Sequence, residues 1–155
     1  MTDTIAINAH DVAPRAKLSN YPAEFAVRMN GRVKRQLGGV FGLVNFGVNL
    51  TTLDPGAVSA LQHVHSRQDE FVYVLEGEVV LVSGNQEVLL RPGMCAGFKA
   101  GGTSHHLENR SKVPVSYLEI GDRREGDEVS YPFDDLIAVR ADGTWQFRRK
   151  NGTPY

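Results

Sequence analysis

An all-β fold, an antiparallel sandwich or small barrel in a single domain, is what this sequence predicts, and three observations carry the prediction. Short runs rich in valine, leucine and aromatic residues recur at 71–75, 78–82, 86–90, 94–98 and 115–120. Turn-forming groups separate them at regular intervals: Glu76-Gly77, Ser83-Gly84-Asn85, Arg91-Pro92-Gly93, Ala100-Gly101-Gly102 and the stretch 109–112. No segment repeats apolar residues with a helical period over a helical length, and 21–29 is at most a short helix. A chain of 155 residues that is 41% hydrophobic buries one core, and nothing in it suggests two.

Taken in order, residues 1–39 are weakly patterned and read as an N-terminal extension packing on the barrel, with His10 at the surface. The start, MTDTIAINAHDVAPRAK, has no basic leader followed by an apolar run, so it does not read as a signal peptide. The stretch 40–50 is interrupted by Gly42, Asn45, Gly47 and Asn49 and is too short to cross a bilayer. It reads as a strand with Val44, Phe46, Val48 and Leu50 on one face and Asn45, Gly47, Asn49 and Thr51 on the other. Asp54-Pro55-Gly56 ends it, because proline fixes φ and glycine accepts a positive one. The barrel core is expected over 40–120. Beyond it, Asp122, Glu125, Asp127, Glu128, Asp134 and Asp135 stand against Arg123 and Arg124, which reads as a solvated loop rather than a second metal site. Ala141-Asp142-Gly143 then marks a tight turn between 136–140 and 144–148, and Trp145 and Phe147 share a face that packs on the barrel or on a second subunit. Residues 121–155 are therefore a C-terminal extension of loop and hairpin.

The chemistry is concentrated between Gly56 and Gly77, in GAVSALQHVHSRQDEFVYVLEG. His63 and His65 stand two apart, so on an extended chain their imidazoles share a face. Residues 66–69 suit a polar turn, and Glu70 then opens the next apolar run, so one hairpin aims all three groups into one pocket. A lone histidine in a sheet is ordinarily a hydrogen-bonded structural residue; two on one face followed by a carboxylate at turn distance make a metal-ligand pattern.

The same segment resembles the first conserved motif of the cupin superfamily: a glycine, His-x-His, four residues, a glutamate, six residues and a glycine. Gly56 stands six residues before His63 rather than the usual five, a difference that a bulge absorbs. The stretch 98–109, FKAGGTSHHLEN, is similar to the second motif, with Lys99 in place of the usual proline and one extra residue between Gly101 and His105. The resemblance implies a cupin jelly-roll β-barrel, single rather than tandem because His-x-His is not repeated. The chain is similar to uncharacterised bacterial cupins, including their C-terminal extension. It also implies His105, four residues before Asn109, as a fourth ligand, with His106 as the alternative. Oxygenases, decarboxylases or lyases, and sugar or keto-acid isomerases all occur among such proteins.

Three imidazoles and one carboxylate suit one divalent transition metal ion, Fe, Mn, Ni or Co, with Zn or Cu also accommodated. Open coordination positions would let an anionic substrate chelate the ion. Gln68 and Asn109 are candidates to orient the ligands. Tyr73 is a candidate pocket residue if its strand twists, although alternation sets it with Phe71 opposite Glu70 and favours packing. Cys95, beside Met94 with no basic neighbour, is expected to be buried and inert.

Several classes are excluded or disfavoured. A net charge of −1 offers no field for nucleic acid or anionic membranes, and neither a phosphate-binding glycine loop nor a G-x-S-x-G elbow is present. A single cysteine precludes an internal disulfide and suits a reducing, cytoplasmic setting. Exposed strand edges and the aromatic hairpin suggest a homodimer. Two readings remain: a metal-dependent enzyme acting on a small polar or anionic molecule, which the open coordination positions favour, and a non-catalytic cupin that binds or senses one.

Overall fold

The structure, a computed structural model, describes residues 4–155. Twelve strands are arranged in chain order as β1 Arg32–Gln36, β2 Phe46–Leu53, β3 Val64–His65, β4 Glu70–Glu76, β5 Val79–Ser83, β6 Gln86–Leu90, β7 Cys95–Phe98, β8 His105–Glu108, β9 Val115–Asp122, β10 Glu128–Ser130, β11 Ile137–Ala141 and β12 Thr144–Arg148. Two single-turn helices precede β1 and β2, α1 at Ala23–Ala26 and α2 at Leu37–Val40. No helix among the described residues is long and apolar enough to cross a membrane.

All strand pairs are antiparallel and build a jelly-roll β-sandwich. One layer is the five-stranded sheet β1-β2-β9-β4-β7, and the other comprises β6-β5-β8 and β12-β11-β10-β3. An isolated bridge joins the two smaller sheets, with the His63 N–H donating to the His105 carbonyl at 3.1 Å and the His105 N–H returning the bond at 2.8 Å. The layers are therefore continuous across the histidines.

Two apolar clusters hold the layers. Leu53, Val72, Val74, Val79, Leu107, Val115 and Tyr117 pack together in the first. Phe25 and Met29 from the N-terminal segment meet Leu61, Val129, Tyr131, Leu136 and Ala138 in the second. Residues from both ends of the chain thus converge on the segment that leads into His63.

The stretch 40–50 corrects the strand expected there. Its first half is the turn after α2, closed by Leu43 N–H to the Gly38 carbonyl at 3.0 Å and by Gly42 at φ 67°, and β2 begins only at Phe46. Alternation holds along β2, but its polar face turns inward, with Gly47 and Asn49 lining a cavity. Phe46 remains 41% exposed. Cys95 is a second correction. It is exposed because β7 is an edge strand whose odd positions face out.

Gly77 shows why the first motif ends on glycine. It follows a register shift between Val74 and Glu76, takes φ 76°, and sits where an added Cβ would lie 2.8 Å from the Pro114 carbonyl oxygen. We expect Gly77→Ala to lower the unfolding free energy in urea by roughly 2 kcal/mol or more, through left-handed strain plus a backbone clash. A loss below roughly 0.5 kcal/mol, the range of neutral surface changes, would show that the strand connection relaxes freely.

Candidate metal centre

The bridge that merges the two smaller sheets also fixes two imidazoles side by side. His63 and His105 are directly cross-strand, with ring centroids 4.7 Å apart, and His65 lies 5.2 Å from His63. Glu70 reaches them from β4 of the opposite layer, where it pairs with Gly121 and Phe98.

Each imidazole is anchored through Nδ1 and presents Nε2. His63 Nδ1 lies 2.8 Å from the Leu61 carbonyl oxygen, His105 Nδ1 3.3 Å from the Thr103 carbonyl oxygen, and His65 Nδ1 2.6 Å from Asp127 Oδ2. With Nδ1 donating, the three Nε2 atoms face Glu70 at 3.3 Å from His63, 3.5 Å from His65 and 2.9 Å from His105. The donor atoms of His63, Glu70 and His105 all lie within 4.8 Å of one another and could hold a metal ion. Imidazoles with an oxygen acceptor on Nδ1 and Nε2 directed at one carboxylate are the donor set a borderline divalent ion takes.

Four further side chains were candidates, and the structure separates them. Gln68 lines the cavity, its backbone N–H bonded to Asp127 Oδ1 at 3.2 Å. His106 is corrected: alternation turns it to the far face of β8, where Nε2 meets Glu108 at 2.7 Å. Tyr73 lies on the outer face of β4, opposite Glu70 as alternation indicated, but it is 39% exposed and takes no part in the pocket. Asn109 is buried but remote from the cavity, where its Nδ2 donates to the carbonyls of Leu53 and Val113 and so ties two loops together.

Asp127 is the residue that sequence reasoning missed. The segment expected to be a solvated loop places it fully buried, accepting from His65 Nδ1, Ser66 Oγ and the backbone N–H groups of Arg67 and Gln68. One carboxylate thus orients His65 and shapes the turn that delivers Glu70. The available signal was parity, since Asp127, Val129 and Tyr131 alternate on one face and the latter two are apolar.

Charge follows this geometry. Burial alone would raise the Glu70 carboxyl, but hydrogen bonds with His105, His63 and His65 overcome it and hold the group well below its ordinary value. Burial disfavours protonated His65, but the Asp127 and Glu70 carboxylates outweigh it and raise its pKa from 6.5 to about 9. Burial lowers His105 despite Glu70. Phe98 stacks on the His105 ring, parallel and 3.5 Å away between centroids, and Trp145 stands 6.0 Å from His65, so aromatic walls flank the cluster. The cavity holds about 300 Å³.

Comparison with known proteins places this arrangement among relatives. The family model described as Cupin domain matches residues 49–121. A solved structure described as a sugar phosphate isomerase from a cupin superfamily, from Silicibacter pomeroyi, is 38% identical, covers 97% of this chain and 96% of its own, and superposes with a TM-score of 0.90. A candidate sugar phosphate isomerase from Acidithiobacillus ferrooxidans is 29% identical over 90% of this chain and 96% of its own, with a TM-score of 0.73. A mannose-1-phosphate guanylyltransferase of Klebsiella pneumoniae is 30% identical over 95 residues, which make up 61% of this chain but only 19% of that protein. The chain thus spans about a fifth of the length of that curated relative.

In metal-free protein a group whose pKa is raised on folding contributes stability below its unfolded value and loses it as pH climbs. The His65 contribution is therefore complete below pH 6.5 and disappears as pH rises through about 9. Asp127→Asn should draw the His65 titration, followed by NMR of the imidazole protons, back toward 6.5 and flatten this pH dependence. An unmoved titration would show that Glu70 alone sustains the imidazolium.

Proposed function

The chain belongs to the cupin superfamily, and on that footing we propose that it is a metal-dependent isomerase of a small phosphorylated sugar. One divalent transition ion is held by His63, His65, Glu70 and His105. The observation that carries the reading is the convergence of three Nδ1-anchored imidazoles on the Glu70 carboxylate inside a cavity of about 300 Å³. Support for the substrate class comes from the Silicibacter relative, named a sugar phosphate isomerase and similar over nearly the whole chain.

When bound, such an ion polarises a carbonyl or hydroxyl oxygen and stabilises the negative charge that develops as a proton leaves the neighbouring carbon. The chain's own residues then have three tasks. Asp127 and the carbonyls of Leu61 and Thr103 hold the imidazoles in the tautomer that leaves Nε2 free. Phe98 and Trp145 keep bulk water from the reacting end. Tyr131, whose ring centroid lies 6.1 Å from that of His63, keeps its proton because burial raises its phenol well above the ordinary range, so it serves as a hydroxyl donor. Phe71, Tyr73 and Leu75, all well exposed on the outer sheet face, support assembly as a homodimer.

Plasma mass spectrometry of chain purified without chelator should find close to one equivalent of iron, manganese, nickel, cobalt or zinc. His63→Ala should lose it while keeping its circular dichroism. The loaded protein should interconvert an aldose phosphate and its ketose partner, followed by proton NMR. Absence of ion after reconstitution would sink the reading. Saturable sugar-phosphate binding without turnover under each of these ions would make the protein a binding cupin instead.

A further inference from the structure

The inward face of β1 carries charge where a sandwich ordinarily carries apolar side chains. Arg32 and Lys34 line the cavity from this strand, and Arg15 joins them from the N-terminal segment. Arg32 is 6% exposed; its two terminal nitrogens donate to the carbonyls of Ser59 at 2.5 Å and Leu18 at 2.8 Å, and its Nε has no partner among the described residues. Arg15 donates to Lys17 through Nε at 2.9 Å and to the same Leu18 carbonyl through Nη2 at 3.0 Å. Neither guanidinium has a carboxylate within ion-pair distance among the described residues.

Among the described residues only Glu119 balances the group, paired with Lys34 and accepting from Asn49 Nδ2 at 3.0 Å. Three cations against one carboxylate leave two positive charges in excess inside a cavity wall. Burial, followed by repulsion from Arg32, lowers the Arg15 pKa, and burial lowers Lys34 despite Glu119. A buried guanidinium without a counter-charge is strongly unfavourable, and chains retain one where a ligand supplies the missing charge. Tyr117 adds a neutral donor: fully buried and facing the cavity, its hydroxyl lies near those of Ser59 and Thr51 but makes a hydrogen bond with neither.

We propose that Arg15, Arg32, Lys34 and Tyr117 form a subsite for a phosphate monoester, the anionic end of the substrate whose other end meets the histidines and Glu70. This deepens the sugar-phosphate reading and rests on it for the identity of the rest of the ligand. The placement fits. Arg15, Arg32, Lys34 and Tyr117 line the same cavity as His63, His65, Glu70 and His105. Arg32 and Lys34 approach it from β1 and Glu70 from β4 of the same sheet, with β2 and β9 between them, so one ligand can meet both groups from opposite ends. A dianion suits the two excess charges better than a carboxylate does, and guanidinium forks match phosphate oxygens.

The test is calorimetric titration of inorganic phosphate into the full chain, metal-loaded and chelator-treated, beside Arg15→Gln, Tyr117→Phe and His63→Ala. Arg32→Gln is avoided because it would unfasten the Ser59 and Leu18 carbonyls. Phosphate should saturate the chelated protein and the His63→Ala variant alike. Arg15→Gln should weaken it by about 10-fold or more and Tyr117→Phe by about 3- to 10-fold, the range of charge-assisted and neutral hydrogen bonds. Thermal midpoints without phosphate should stay close to the parent's. Binding that disappears on chelation and ignores Arg15→Gln and Tyr117→Phe would put the anion on the ion and overturn the subsite. Absence of saturable binding at tens of millimolar phosphate would overturn it too. If the protein holds no ion and isomerises nothing, but phosphate responds to these variants, the subsite stands and only the reaction fails.

Discussion

A single antiparallel bridge, His63 against His105, is the constraint on which the rest of this structure depends. It is made by backbone groups alone, yet it does two things at once. It splices two small sheets into the second layer of the sandwich, and it fixes two imidazoles 4.7 Å apart without help from either side chain. Because backbone pairing sets this distance, the side chains need only the correct rotamer and tautomer. Those come from oxygen acceptors on each Nδ1, so local hydrogen bonding completes what the sheet begins.

The opposite layer supplies contrast. On β4 and at the start of β9, inward positions are apolar and packed, with Val72, Val74 and Val115 buried. On β1, on β2 and farther along β9 the cavity is lined instead by Lys34, the buried Arg32, Asn49 and Glu119. A cavity with polar walls takes the place of packing there, and stability is drawn from the two apolar clusters instead. The sandwich is thus divided between a half that holds it together and a half available to a ligand.

That division explains what the sequence discloses. Strands 4, 5, 6, 7 and 9 are legible because alternation and turn chemistry agree with the fold, and Gly77 is legible because only glycine fits its φ and its approach to Pro114. The proximity of His63, His65 and Glu70 follows from period two and one turn. His105 needed a family resemblance, because the bridge that brings it to His63 spans 42 residues and leaves no local trace. The stretch 40–50 misleads because β2 turns its polar face inward, against the usual rule, and a turn of α2 occupies the start of its apolar run. Asp127 was hidden by its neighbours. A carboxylate among five other acidic residues looks solvated until a histidine is found on its inner side.

Asp127 also lies outside the stretch of chain that the family model covers, as do Phe25, Met29 and Leu136, which pack beneath the segment leading into His63. The part of the molecule shared with distant relatives therefore carries the groups that face the cavity centre, while flanking segments decide how firmly they are held. Anyone who transplants the motif alone into another barrel will import the fingers without the grip. The margin for tuning one such pocket apart from its cousins lies in the flanks.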